Sequence, residues 1–452
     1  MGTCVQEIFY DNMWQGRRCF IVGGGPSLKD FDFTQLNGEL VIGVNRAFEK
    51  LPWSAITCSM DGQFWRNYAK DLLMHGSNTV ILAVDPATSP VEMLVARSAG
   101  RWGLSPSITH GLCHGCNSGY MALNLALCLG ADPIYLLGFD MHQTNGADWW
   151  HNGYPWPGTP RKYSRFISHF NKIAGDIKPG RVINCNESSR LRCFPFGTWE
   201  RQSHPVYVSY YTLNGYQEEK KMLVRSLRTF GLQYEIDQIE DFGSWQANTQ
   251  YKAQFILDKL DKYTGRPVVF VDVDAEIMRY PEAFCDLDKQ ADIACHWRNG
   301  RELLSGTMFV ANSNATRTLL NSWVDLNQIN KFTWEQKNLQ QLLDNSLDIN
   351  MMRLGPEYCF IFDTMQKENP GIAPVIEHFQ ASRYLSNCRT PEHKRIKKAN
   401  KKQIKVVDIE PVPVKVQYKY DRRCPICKGT GQLPSGPCKV CNASGVKLNG
   451  SL

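Results

Sequence analysis

Asp272-Val273-Asp274 closes the apolar run that starts at Pro267 and sets two carboxylates two residues apart. In an extended strand such residues share a face, so both side chains can enter one site. The end of a strand in an α/β fold is where these proteins bind ligands. Two hard oxygen donors suit Mg²⁺ or Mn²⁺, either of which can hold a diphosphate. A solvated strand end is the plainer alternative. A second constellation is the pair of knuckles Cys424-Pro425-Ile426-Cys427 and Cys438-Lys439-Val440-Cys441, ten residues apart. Four thiolates at that spacing close a tetrahedral zinc site. The third is Gly23-Gly24-Gly25-Pro26-Ser27-Leu28, directly after the apolar Cys19–Val22. Glycines let a backbone approach phosphate, and a helix starting at Ser27 would favour an anion at its N-terminus. It is neither a Walker loop nor a dinucleotide fingerprint. His110, His114, His142 and His151 lie nearby, and His151, in Trp149-Trp150-His151-Asn152, is the preferred general base. The tryptophans could line a sugar or simply form a packed loop.

Two α/β patterns position these residues. In the first, the strands Cys19–Val22, Leu40–Val44 and Val80–Val84 are continuously apolar, which predicts a parallel sheet covered on both faces. A buried helix is expected from Asn117 to Ala131, capped by Asn117 or Ser118 and stopped at Gly130, feeding a strand that ends in Gly138-Phe139-Asp140. The second pattern begins at His204-Pro205 with the strand Val206–Tyr210. Helices over Gln217–Phe230, with Gly231 as stop, and over Ala247–Tyr263 precede the acidic strand.

Residues 205–383 resemble GT-A-type glycosyltransferases, especially the glycogenin and galactosyltransferase-like families. The motifs follow the family order. Val208-Ser209-Tyr210-Tyr211-Thr212 resembles the nucleoside-binding first strand and implicates Tyr211. Lys252 matches a basic residue on the nucleotide side, and Asp272 and Asp274 match the metal pair. Ser305-Gly306-Thr307-Met308 resembles the strand beside the donor sugar, which implicates Gly306. Glu335-Gln336 stands where the family has Asp-Gln in the acceptor or catalytic pocket. Ile376-Glu377-His378-Phe379 resembles the strand whose histidine completes the metal site. The resemblance implies a nucleotide-sugar donor, most simply a UDP-sugar, and a cation that stabilises the departing diphosphate. Taken singly, Lys252 and Glu335 also read as surface charges and His378 as a core histidine.

Residues 18–185 resemble sialyltransferases of the Campylobacter type and the related pterin-diphosphokinase-like proteins of phages and archaea. The resemblance rests on the glycine turn, Val44-Asn45, Ser59-Met60-Asp61, Asn117-Ser118-Gly119-Tyr120 and Leu137-Gly138-Phe139-Asp140. It implies a nucleotide pocket lined by Gly23, Gly25, Ser27, Asn45, Ser118, Gly119 and Asp140. The family usually has asparagine where Gly24 stands. The spacing of Gly429, Gly431 and Gly445 around the cysteine knuckles resembles the repeat of J-domain chaperones, cut to a single zinc site.

Composition bounds the rest. The chain has 452 residues, 43% of them apolar and 21% charged, which excludes disorder over most of its length. The expected fold is α/β, with two consecutive Rossmann-like nucleotide-binding domains (residues 1–200 and 204–390, the second of GT-A type). A basic linker (391–423) and a zinc module (424–452) follow. No run reaches the ~18 apolar residues of a membrane span, and the N-terminus lacks the pattern of a secretory signal. Twelve of the sixteen cysteines are scattered, as expected of small buried side chains in a reducing cytoplasm, that of a bacterial host if the chain is phage-encoded. From Pro391 onward there are 14 Lys and Arg against 4 Asp and Glu, whereas the preceding residues hold 37 against 40. Such a basic block can contact nucleic acid, and modified bases of phage DNA are then one acceptor and a glycan another; a solvated linker is the alternative. The expected function is glycosyl transfer. The alternative is a nucleic-acid-binding or regulatory protein whose first domain is a degenerate transferase.

Overall fold

The computed structural model describes residues 3–75, 78–82, 93–156, 163–213, 215–345, 348–383, 432–433 and 436–437. The chain divides into two compact units, Met1–Gln403 and Ile404–Leu452. In the second, Gln432–Leu433 pairs antiparallel with Gly436–Pro437. The cysteine knuckles and the basic run lie outside the described residues.

The first half of the large unit contains β1 (Thr3–Cys4), β2 (Cys19–Val22), β3 (Leu40–Val44), β4 (Ile56–Ser59), α1 (Gly62–His75), β5 (Asn78–Leu82) and β6 (Leu94–Ala96). A short ribbon of β7 (Ser98–Gly100) and β8 (Leu112–Cys113) follows, then α2 (Ser118–Cys128), β9 (Ile134–Leu137), α3 (Tyr163–Ala174) and β10 (Val182–Asn184). Eight strands form one sheet in the order β1-β6-β5-β4-β3-β2-β9-β10. Every pairing in it is parallel. The apolar runs explain this, since a strand covered on both faces needs no polar alternation. All residues of β2, β3 and β4 are buried.

Asn117 caps α2, its Oδ1 accepting from the Tyr120 amide at 3.1 Å. Gly130 ends that turn with φ +81°, where a Cβ would be strained. Leucines surround the axis of α2, and all of its residues but Leu127 are buried. Each buried leucine contributes about 1.5–3 kcal/mol, so tertiary burial stabilises this helix more than propensity does.

The second half is mixed. It comprises β11 (Val206–Tyr211), α4 (Gln217–Thr229), β12 (Tyr234–Gln238), α5 (Trp245–Gln250), α6 (Lys252–Lys262), β13 (Val268–Val271), β14 (Ala275–Ile277), β15 (Ile293–Arg298), β16 (Glu302–Val310), α7 (Asn314–Ile329), α8 (Glu335–Asn345), β17 (Met351–Leu354), β18 (Phe360–Ile361), α9 (Thr364–Glu368) and β19 (Ile376–His378). Its main sheet runs β12-β11-β13-β16-β15-β17. The pairs β11–β12, β11–β13 and β15–β17 are parallel, while β16 runs antiparallel to both its neighbours. The single helix expected over Ala247–Tyr263 is two, α5 and α6, meeting at Tyr251. A small sheet, β14-β19-β18, stands beside the end of β13. One apolar core runs through both halves and includes Ile21, Leu136, Tyr207, Val269 and Ile376.

Candidate metal centre and a second cavity

β13 stops at Val271, one residue short of the acidic pair. The carboxylates therefore converge through a turn and not through a strand pleat, as their spacing alone suggested. The Ala275 amide donates to the Asp272 carbonyl at 3.1 Å and closes that turn, and the Asp272 amide donates to the Gly306 carbonyl at 2.8 Å. The chain then enters β14, which pairs antiparallel with β19 so that Ala275 lies opposite His378. The Ala381 amide reaches Asp274 Oδ2 at 2.7 Å. This register brings ligand atoms of Asp272, Asp274 and His378 within 4.8 Å of one another.

His378 is buried, and its Nε2 lies 2.8 Å from Thr307 Oγ1. If Nε2–H donates to that hydroxyl, Nδ1 presents its lone pair towards the carboxylates. Burial pushes the imidazole pKa down to about 3, and the Lys252 charge acts in the same direction. The ring is thus neutral at physiological pH, as a metal ligand must be. Burial raises the pKa of both carboxyls. Lys252 opposes the rise at Asp272, whereas repulsion from Asp272 carries Asp274 further, to about 7. A Cβ on Gly306 would stand 3.0 Å from Asp272 Oδ2 and 3.2 Å from His378 Nδ1. The missing side chain leaves a space between those donors. Two carboxylates, a neutral imidazole and that space fit a divalent cation of the Mg²⁺ or Mn²⁺ kind.

Lys252 opens α6 and is 2% exposed. Its Nζ lies 3.1 Å from Asp272 Oδ1 and 3.2 Å from Glu335 Oε1, and donates to Ser305 O at 3.2 Å. Burial alone would lower its pKa, but Asp272 and Glu335 outweigh that and raise it. The ammonium is paired inside the protein, where Lys252 holds Asp272. Glu335, at the start of α8, is also buried and accepts from Ser305 Oγ at 2.8 Å. It is a buried counter-charge to Lys252. Tyr211 ends β11, with its hydroxyl accepting from Lys220 Nζ at 3.1 Å.

The first half carries a cavity of about 1200 Å³ at the C-terminal ends of β2, β3, β4 and β9. Gly23, Gly25, Asn45, Ser118, Gly119 and Asp140 all line it. Ser27 lies behind, donating to Asp140 through its amide at 2.7 Å and its hydroxyl at 2.6 Å. The glycine turn differs from expectation in two respects. Its amides at Gly23 and Gly25 donate to the Leu137 and Gly138 carbonyls at 2.7 and 2.9 Å, so with Ser27 three amides serve the protein itself. The helix expected at Ser27 is a single three-residue turn, Pro26–Leu28, too short for a useful dipole. Glycine is required at 25 because a Cβ would stand 2.5 Å from Asp140 Oδ1. His151 is not among the lining residues; Trp149, stacked on it at 5.7 Å, and His142 are. His110 and His114 do not line the cavity either.

No protein-family model matches the chain. No curated protein matches it in sequence. A solved structure described as "Crystal structure of a glycosyltransferase involved in the glycosylation of the major capsid of PBCV-1" aligns with 44% of this chain and 99% of its own, at 14% identity and a TM-score of 0.33. That likeness is too distant to carry an argument about fold or activity.

Two side chains of the centre escaped the sequence reading as site residues. Thr307 orients His378, and Ser305 joins Lys252 to Glu335. Their alternation about Gly306 in a strand is the local signal that could have found them. Cys424, Cys427, Cys438 and Cys441, expected to bind zinc, lie outside the described residues. The eleven described cysteines are all free thiols, six of them buried. Among the described residues, no helix is long and apolar enough to cross a membrane.

Proposed function

We propose that the chain is a metal-dependent glycosyltransferase, moving a sugar from a nucleotide-sugar donor to an acceptor at the Asp272–Asp274–His378 centre. The observation that carries the reading is the β14–β19 register, which sets His378 beside the turn that bears both carboxylates. When bound there, a divalent cation supplies positive charge against the nucleoside diphosphate as it leaves the sugar. The chain's own residues do the rest. Asp272, Asp274 and His378 hold the ion, Thr307 fixes the imidazole, and Gly306 keeps the space open. Lys252 favours the ionised form of Asp272 against the effect of burial, and Glu335 balances Lys252. In this reading residues 204–390 are the transferase domain, and residues 1–200 form a separate α/β domain whose cavity takes a nucleotide. A UDP-sugar is the donor we favour. The four tail cysteines would hold zinc, and the basic run before them would contact a nucleic-acid acceptor.

The test is nucleotide release from a panel of UDP-, GDP- and CMP-sugars with Mn²⁺, comparing wild type with Asp274→Asn. Release from one donor, reduced about 10²-fold or more in the variant, supports the reading. Release from a CMP-sugar that ignores the substitution and needs no metal overturns it and moves the chemistry to the first half.

A second reading applies to the first half alone, and the internal use of the Gly23, Gly25 and Ser27 amides favours it. There the half is a binding or scaffolding module that has lost transfer activity. Retention of nucleotide binding without turnover by the Asp274→Asn chain would support it.

A further inference from the structure

Cys285 belongs to a chain of ionisable side chains where the two halves meet. Its Sγ lies 3.5 Å from His204 Nδ1. His204 Nε2 lies 3.0 Å from Glu39 Oε1, and Arg18 Nε donates to Glu39 Oε2 at 2.9 Å. Tyr280 Oη stands 3.7 Å from Cys285 Sγ and 3.5 Å from His204 Nδ1. Its own proton is directed to the Gly38 carbonyl at 2.9 Å. Tyr280 therefore offers only lone pairs to the sulfur and the ring.

The proton inventory follows from these partners. The Glu39 carboxylate can only accept, so Nε2 carries a hydrogen. One remaining proton is shared between Sγ and Nδ1. Glu39 favours its residence on the imidazole, which then becomes imidazolium, and Arg18 offsets part of that pull. The other groups that face the pair are Tyr207, which is buried, and Asp286, whose carboxyl His204 helps to hold down. Cys285 as a residue is half-buried. A cysteine beside an imidazolium is the usual setting of a reactive thiolate.

We infer that Cys285 is a thiolate–imidazolium site that reacts with soft carbon electrophiles near neutral pH. Its thiol proton rests on His204 Nδ1, and the thiolate attacks the electrophilic carbon. With iodoacetamide the S–C bond forms as the C–I bond breaks, and iodide leaves.

The experiment is alkylation of the full chain by iodoacetamide, read cysteine by cysteine by mass spectrometry between pH 6 and 8. An ordinary thiol slows about tenfold per pH unit below its pKa. Cys4 and Cys193, also half-buried, are the internal standards. Cys285 should keep its rate within about twofold from pH 7 to pH 6 while the standards fall about tenfold. A Cys285 rate that falls in parallel with Cys4, or that is negligible while Cys4 reacts, overturns the proposal. His204→Gln should restore the ordinary slope at Cys285 alone, and a persisting plateau there would also overturn it. Labelling of the buried Cys19 and Cys58 reports whether that variant is folded. If they become labelled, the wild-type profile alone decides.

Discussion

Lys252 Nζ stands 3.1 Å from Asp272 Oδ1 on one side and 3.2 Å from Glu335 Oε1 on the other. One buried ammonium thus joins a carboxylate of the candidate metal centre to a second, buried carboxylate. Removing one member of such a set leaves the others uncompensated, at a cost of about 3–5 kcal/mol. Lys252→Met should lower thermal stability by that order and raise the Asp272 pKa. Asp274, raised to about 7, already weakens Mn²⁺ binding in wild type as pH falls from 8 to 6, and calorimetry should find a steeper loss over that range in the variant. A variant as stable as wild type, with the same pH dependence of Mn²⁺ binding, would refute this role.

Thr307 and Gly306 separate orientation from space. Thr307→Val removes the partner of His378 Nε2 without changing the shape of the site. Loss of such an outer partner typically weakens metal binding about 10–100-fold, and Mn²⁺ titration should find a loss in that range. Gly306→Ala puts a methyl group 3.0 Å from Asp272 Oδ2. It should abolish Mn²⁺ binding while the melting temperature stays near wild type. Undiminished binding by Gly306→Ala would mean that the cation sits elsewhere.

Neighbouring glycines in the first half should respond differently to the same change. A Cβ at Gly25 would stand 2.5 Å from Asp140 Oδ1, whereas one at Gly24 would meet only the Trp149 ring at 3.2 Å and His151 at 3.9 Å. Gly25→Ala should destabilise the fold by about 1–3 kcal/mol through overpacking, while Gly24→Ala should be nearly neutral. Chemical denaturation of the two variants would decide, and equal losses would contradict the geometry.

His204 and Glu39 predict a pH dependence of stability. The folded His204 pKa, about 9, lies above its ordinary value of about 6.5. Its contribution is complete below the ordinary value and is lost as pH rises through about 9. Glu39 is lowered: burial alone would raise it, but His204 and Arg18 prevail. Its contribution is present above the ordinary carboxyl range and is lost as pH falls through its lower folded value. The melting temperature should therefore fall between pH 7 and pH 10 in wild type and change less in His204→Gln. Parallel curves for the two proteins would rule the pair out.

Local features were legible because their causes are local. Continuously apolar runs predicted the parallel first sheet. Asn117, Gly130 and Gly231 marked helix ends close to where they occur, because capping and positive φ are properties of single residues. Asp272 and Asp274 were legible as a pair because a single intervening residue, Val273, keeps them within a few ångströms in any compact conformation. The reason given for their convergence was not, since a turn rather than a pleat joins them. The partner of a buried charge leaves no mark in its own neighbourhood. That Lys252 would face Glu335, that Thr307 would hold His378, and that Asp140 would take the Ser27 amide depended on strands pairing across long stretches of sequence. Sequence alone determined which groups could do chemistry and which segments would be strands or helices. Only the tertiary structure decided which donors were already spent inside the protein, because every buried polar group must find its partner in whatever segment the fold brings beside it.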